Sequence, residues 1–229
     1  YFIMIYDGEY ARTWIEFEES SAESEFRKVF LAPYFDKFIN NLPYRAKVLD
    51  VGCGWGAMTK FARPSNEYWG VDPVKEFFPY IMEKYSSRGG RDFDINLRQG
   101  RLPNKLPVPD SYFDAVICSL ALHTHPTLRS SVSALFSKAK PAGRVNIVDF
   151  SDDGSLFVAN ECFSEENTEM SNAYGIHGWG HLHAIGKNVR TSVYYHNEGD
   201  IEAAIEKCGK IQKKEMIGPL FVGYDCIRN

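Results

Sequence analysis

The apolar positions of this chain change period near Ala46. Upstream, Phe26, Val29 and Phe30, then Phe35, Phe38, Ile39 and Leu42, recur at helical spacing, so 1–44 is predicted to be an N-terminal helical segment. Ser20-Ser21-Ala22-Glu23 has the form of a capping box, and Pro33 is expected to bend or interrupt the helix. Downstream, the short apolar runs Val48 to Val51, Tyr68 to Val71, Ile95 to Gln99, Phe113 to Cys118 and Arg144 to Phe150 have the length and composition of buried parallel strands. Helical stretches at Pro73 to Tyr85 and Thr127 to Ala139 separate some of them, which predicts parallel βαβ units with right-handed crossovers. Glu198 to Cys208 places Ile201, Ala204, Ile205 and Cys208 on one helical face, with Gly209 as the expected C-cap. Two further strands, Ile211 to Ile217 and Leu220 to Ile227, flank Gly218-Pro219 and predict a hairpin that adds an antiparallel strand to the sheet. Ser151 to Tyr195 fits neither period, being polar and aromatic with many Gly, Asn and His. A stretch of this kind is usually functional, so 151–196 is read as a lid-like insertion between strand five and the last helix. The expectation is one α/β domain over 1–229, a Rossmann-like doubly wound sheet.

Composition narrows the picture. The chain has 229 residues, 44% apolar and 24% charged, enough for one large domain with a buried sheet. The net charge is −4 and no Lys/Arg-rich block occurs, so no nucleic-acid partner is expected. No apolar run reaches the length of a membrane span, and Tyr1-Phe2-Ile3-Met4-Ile5-Tyr6 lacks the basic flank of a signal peptide. Cys53, Cys118, Cys162, Cys208 and Cys226 contain no CxxC pair, which speaks against a zinc cage or disulfide framework and for a reducing compartment. A cytoplasmic location with no membrane partner is the resulting expectation. Tyr1 is not an initiator Met, so the true N-terminus is expected upstream. The oligomeric state stays open, with a homodimer as one option.

The chemistry is concentrated in Val48-Leu49-Asp50-Val51-Gly52-Cys53-Gly54-Trp55-Gly56-Ala57. Glycines after a buried strand allow a sharp turn and the approach of a ligand to the backbone; a helix is expected to begin near Gly56 with its first amides free to donate. Asp72 closes the second strand, 20 residues after Gly52, where a carboxylate can accept from both hydroxyls of a ribose. A nucleoside is the ligand these features imply. Gly52-Cys53-Gly54-Trp55-Gly56-Ala57 also satisfies the dinucleotide pattern G-x-G-x-x-[GA], so a nicotinamide-dependent oxidoreductase stays open at this point.

Asp50-Val51-Gly52-Cys53-Gly54-Trp55-Gly56 resembles motif I of the class I S-adenosylmethionine-dependent methyltransferases. Gly70-Val71-Asp72-Pro73 resembles their ribose-binding motif. Leu106-Pro107-Val108-Pro109-Asp110-Ser111-Tyr112-Phe113-Asp114-Ala115-Val116-Ile117 resembles the stretch entering their fourth strand, followed by Leu122-His123, and Lys140-Pro141-Ala142-Gly143-Arg144 resembles the turn before their fifth. The resemblance implies a seven-stranded sheet of order 3-2-1-4-5-7-6, the last strand antiparallel, with S-adenosyl-L-methionine as cofactor. It implies methyl transfer to an O, N or C atom of a small molecule, and cofactor contacts from Asp50, Gly52, Cys53, Gly54, Gly56, Asp72, Pro73, Arg101, Leu102 and Ser119. The alternatives are an NAD(P)-dependent oxidoreductase and a non-catalytic protein that binds S-adenosylmethionine. Gln99-Gly100-Arg101-Leu102 departs from the family's Gly-Asp after strand three: Arg101 cannot accept from an adenine amino group, which leaves backbone near Leu102 or packing to hold the base. Cys118-Ser119-Leu120-Ala121 stands where amino methyltransferases of nucleic acids carry Asn-Pro-Pro-Tyr.

Methyl transfer requires in-line placement, exclusion of water and, for a protic acceptor, a base. His123 follows strand four and is the first candidate base; a helix-capping or supporting histidine is the competing reading, and His125 before Pro126 is read as a turn residue. In the insertion, His177-Gly178-Trp179-Gly180-His181-Leu182-His183 reads as an acceptor pocket, with His181 as a second candidate base and Trp179 as a stacking surface. A solvated loop is one alternative; metal ligation by these histidines is the weaker one, since no standard ligand spacing is met, and no metal is expected. Tyr6, Tyr10 and Trp14 suggest either a lid over the cofactor or ordinary packing, and Tyr194-Tyr195-His196 either reaches the same mouth or forms strand.

Overall fold

The computed structural model describes residues 8–19, 27–87, 93–104, 106–154, 168–171, 175–184 and 187–229; the side chains of 17–19, 168–171, 175–184 and 187–193 are not among those described. The predicted capping box at Ser20 lies outside the described residues. A helix α1 (Gly8–Glu19) precedes a single π-helical turn (Arg27–Leu31) that runs into α2 (Ala32–Asn40), with Pro33 in its first turn. The core then continues as β1 (Lys47–Val51), β2 (Glu67–Asp72), α3 (Phe78–Tyr85), β3 (Ile95–Gln99), β4 (Phe113–Ser119), α4 (Leu128–Lys138) and β5 (Ala139–Phe150). Three strands, β6 (Thr168–Ser171), β7 (Gly175–Ala184) and β8 (Lys187–Tyr194), lie between β5 and α5 (Glu198–Glu206), after which β9 (Gly209–Ile217) and β10 (Phe221–Arg228) form the closing hairpin.

The main sheet has seven strands in the order β3-β2-β1-β4-β5-β10-β9. The first five are parallel, and β10 pairs antiparallel with both β5 and β9. This is the order that the family resemblance implies. Alternate residues of each strand serve opposite faces. Leu49, Val116, Val145, Ile147, Val222 and Tyr224 pack on one side with Val132, Leu135 and Phe136 of α4 and Ile201 and Ile205 of α5. Val48, Ala115, Ile117 and Val148 pack on the other with Phe35, Phe38 and Ile39 of α2. Because both faces are covered, the strands read as continuous apolar runs instead of alternating ones.

Four local expectations are corrected. No α-helix follows the glycine turn: Gly56, Thr59 and Phe61 donate to Cys53, Gly56 and Met58, a series of four-residue turns. Gly54 and Gly56 have φ of +49° and +86°, which no helix accommodates, and Pro64 would interrupt a helix begun after them. Val29 is 58% exposed and does not share the buried face of α2. Gly209 is the first residue of β9, not a C-cap. Helix α5 is capped by Lys207, and a Cβ on Gly209 would lie 2.3 Å from the Ile227 carbonyl oxygen and 2.4 Å from the Phe136 ring. Finally, β5 begins at Ala139, five residues earlier than expected, because Lys140 to Gly143 form a bulge between the Phe113–Ala139 and Ala115–Arg144 pairings.

Within 151–196, β6, β7 and β8 build a separate antiparallel sheet in that order. Its last strand lies against the short turn Leu122–Thr124 after β4, and α1 approaches β7 and β8. No helix among the described residues is long and apolar enough to cross a membrane.

Candidate active site at the carboxyl edge

The strand order reverses between β1 and β4, so the loops after their carboxyl ends diverge and leave a crevice, the usual ligand position in an open α/β sheet. A Cβ built on Gly52 would meet the Cβ of Ala121 at 2.5 Å, so the loops after β1 and β4 touch at the floor of this crevice. Gly52 has φ of +78°, and Leu120, a non-glycine residue, has φ of +54°. Such conformations are costly for L-residues and tend to cluster at functional sites. Beside Gly54 a Cβ would meet nothing within 4 Å, so the turn faces open space there.

Asp72 organises this turn. Its Oδ2 accepts from the Gly54 amide and its Oδ1 from the Val74 amide, each at 2.8 Å. Gly52 and Cys53 both donate to the Val71 carbonyl, at 2.8 and 3.2 Å. The amides of Gly52, Cys53, Gly54 and Gly56 are therefore engaged within the protein, and of these Gly56, at the expected helix start, was expected to be free. With no helix start, the turn lacks the aligned first-turn donors of a helix. What the turn offers is its shape, its carbonyls and the remaining lone pairs of Asp72.

Asp50 lies below, 1% exposed, accepting from the Tyr68 hydroxyl at 2.7 Å through Oδ2. Its Oδ1 is buried and has no hydrogen-bond partner among the described residues. Burial pushes the Asp50 carboxyl up to about 7, with the Asp72 charge adding to the rise and the Tyr68 bond opposing it. Burial likewise lifts Asp72 to about 6 against the pull of its two amide donors. A carboxyl whose folded pKa exceeds its unfolded value of about 3.9 stabilises the fold most at low pH. That contribution is lost as pH rises from about 4 to about 7 for Asp50. His125, lowered to about 4 chiefly by burial and then by the charges of His123, Arg101 and His196, acts oppositely and favours the fold as pH rises toward the ordinary imidazole range. The Asp50 part is isolated by Asp50→Asn, which keeps the shape and removes the charge. At about pH 8 this variant is expected to be more stable to urea than the parent by on the order of 1 kcal/mol or more, and to lose that advantage by about pH 5. An advantage independent of pH would contradict the buried charge.

The remaining predicted cofactor residues are dispersed in role. The Cys53 side chain is buried with Val74, Phe77 and Ile81. A Cβ on Gly56 would crowd Ile81 and Thr59 at 3.0 Å, so this glycine serves packing. Pro73 presents its carbonyl to Gln99 Nε2 at 2.9 Å. Arg101 is exposed, Leu102 is buried in the main core, and Ser119 ends β4 half-buried opposite Val148. Above the turn, Trp14 of α1 stacks on Trp55 (5.8 Å, 15°), Tyr10 meets Trp14 edge-on at 6.1 Å, and Arg27 lies over Trp55 at 5.0 Å. Thus Tyr10 and Trp14 cover the turn; Tyr6 lies outside the described residues.

His123 lies in the turn after β4. Its Nδ1 is 2.8 Å from Asp149 Oδ1, its amide donates to Asp149 Oδ2 at 3.0 Å, and its ring packs on Phe150 at 4.8 Å. Asp149 is 3% exposed near the end of β5, and Phe150 N–H also donates to Oδ1. Burial alone would raise the Asp149 carboxyl, but the charge and hydrogen bond of His123, with the Phe150 amide, hold it below the usual carboxylate range. His196 reaches the same place, its Nε2 donating to the His125 carbonyl at 2.8 Å. Asp149 escaped the sequence reading, although it ends an apolar strand much as Asp72 does. The other candidate base, His181, sits in β7 opposite Arg190, but its side chain and those of His177, Trp179 and His183 lie outside those described.

Comparison with known proteins agrees with this arrangement. Residues 48–153 match the family model described as a methyltransferase domain. Over 114 residues the chain is 34% identical to the ubiquinone/menaquinone biosynthesis C-methyltransferase UbiE of Burkholderia mallei, covering 46% of this chain; the match spans only 43% of that enzyme's length. Among solved structures, the PH0226 protein of Pyrococcus horikoshii OT3 superimposes with a TM-score of 0.73 at 19% identity, covering 96% of this chain and 99% of that one. The magnesium protoporphyrin IX methyltransferase ChlM of Synechocystis PCC 6803, solved with bound S-adenosylhomocysteine, does so with a TM-score of 0.66 at 17% identity, covering 95% and 94%. Residues 48–153 thus match a methyltransferase-domain model over a little under half of the chain, and the chain shares its fold with the solved methyltransferase ChlM.

Proposed function

We propose that the protein transfers a methyl group from S-adenosyl-L-methionine to an O, N or C atom of a small molecule. The observation that carries this reading is the Asp72 carboxylate clasping the Gly54 amide at the β1–β4 crevice, inside the segment that matches the methyltransferase domain. The residues suit an adenosyl group. Asp72 has lone pairs left for ribose hydroxyls, Asp50 has a buried oxygen without a partner among the described residues, and open space lies beside Gly54. Leu102 and backbone near Arg101 are the groups left to hold the base. When bound, the cofactor supplies an electrophilic methyl on a sulfonium. The protein's part is to bind, to orient and to exclude water, and the Trp14–Trp55 stack covers the turn for that purpose. The UbiE relative and the ChlM neighbour are both named for methylation of small molecules, which favours an acceptor of that class. The sheet of β6, β7 and β8, set against the turn that carries His123, serves in this reading as the cover of the acceptor side, with His181 on its middle strand.

Titration calorimetry with S-adenosylhomocysteine and, separately, NADH tests the reading. Micromolar binding of the first and none of the second is expected, about −8 kcal/mol for the former. Folded protein that binds NADH and ignores S-adenosylhomocysteine would instead be an oxidoreductase.

A further inference from the structure

We propose that Asp149 is a positioning residue that fixes the proton of neutral His123 on Nδ1, so that Nε2 is presented as the base for an acceptor bearing an ionisable O–H or N–H. The inference rests on the methyl-transfer reading and narrows its acceptor to a protic group.

The geometry is specific. Asp149 holds the His123 ring and the His123 backbone with different oxygens, at 2.8 and 3.0 Å, so turn and ring orientation are set together. The Phe150 ring at 4.8 Å limits rotation of the imidazole. A carboxylate only accepts, so neutral His123 must carry its proton on Nδ1, and Nε2 keeps its lone pair. Nε2 has no protein partner among the described residues, and the His123 side chain is 16% exposed. Residues 122–124 directly follow Ala121, whose Cβ borders Gly52, so the dyad sits on the β4 side of the crevice whose β1 side is the glycine turn. The other charged or titratable groups near it are Cys118, which feels the Asp149 charge, and His125, which feels the charges of His123, Arg101 and His196. None of these four, Cys118, His125, Arg101 and His196, takes the place of Asp149 at Nδ1.

In the step assigned to this pair, the O–H or N–H bond of the acceptor breaks, its proton goes to Nε2, and its electron pair stays on the acceptor atom. That atom becomes the nucleophile for the methyl group. The imidazolium that forms is neutralised by Asp149, which remains ionised.

Nitrogen-15 NMR of histidine-labelled protein at about pH 8, with and without S-adenosylhomocysteine, reads the tautomer directly. The expected result is Nδ1–H and a bare Nε2 for His123 in the parent protein, a measurement that needs no variant. In Asp149→Asn an amide NH₂ replaces one acceptor oxygen. The proton is expected to move to Nε2, while affinity for S-adenosylhomocysteine changes by less than about threefold. A carboxylate that served only to hold the His123 amide would leave the tautomer alone. Nε2–H in the parent, or an unchanged tautomer in Asp149→Asn, overturns the proposal even where S-adenosylhomocysteine binds. Failure of the parent to bind S-adenosylhomocysteine, with the expected tautomer, overturns the methyl-transfer use of the pair by removing the reading it rests on.

Discussion

Replacing Asp72 by Ala is expected to weaken binding of S-adenosylhomocysteine by about tenfold to a few hundredfold, a loss of one to a few kcal/mol. Two effects act together. The carboxylate oxygens proposed to take the ribose hydroxyls disappear. The Gly54 and Val74 amides, which Asp72 accepts at 2.8 Å, also lose their partner, so the turn loosens. Asp72→Asn keeps the shape but shares both losses in part: its single oxygen can keep one amide while its NH₂ faces the other amide donor, so this variant is expected to bind nearly as poorly. Calorimetry paired with urea titration measures both. Unchanged affinity in folded Asp72→Ala would move the ribose away from β2.

Phe35→Ala is expected to lower the stability of the fold by about 3 to 5 kcal/mol, a large part of the 5 to 15 typical of a domain. Phe35 is fully buried, its ring stacked on Phe61 at 6.1 Å and edge-on to Tyr34 at 5.2 Å. Its neighbour Tyr34 accepts from Asn146 Nδ2 of β5 at 2.7 Å and sits where a Cβ on Gly223 of β10 would be. Helix α2 is therefore tied to two strands, and the space left by the ring has little freedom to collapse. Val29→Ala, at a position 58% exposed, is the control and should change stability by no more than about 0.5 kcal/mol. A loss below about 1.5 kcal/mol for Phe35→Ala in urea denaturation, with unchanged slope, would mean that α2 does not cover the sheet.

Much of the architecture was legible because it depends on patterns a few residues long. Val48 to Val51 and Phe113 to Cys118 are continuous apolar runs since both faces of the sheet are covered, and the Gly218-Pro219 turn marks the hairpin between β9 and β10. The position of Asp72 at a strand end, beside a turn of glycines with positive φ, was legible for the same reason. Local pattern failed where glycine has more than one use. Gly209 looks like a C-cap in the sequence but makes room for Phe136 and the Ile227 carbonyl. Gly56 looks like a helix start, yet its φ of +86° excludes one.

From the sequence alone came the α/β class, the closing antiparallel strand, and the pairing of a glycine turn with a carboxylate at the ends of two strands, all set by side-chain periodicity and by backbone freedom at glycine. Only the tertiary structure decided that the turn's amides are already engaged, that Trp14 stacks on Trp55, and that Asp149 meets His123 across 26 residues of chain. Such contacts join segments remote in sequence, and which side chains meet is governed by strand order and register, quantities that no local spacing of residues encodes.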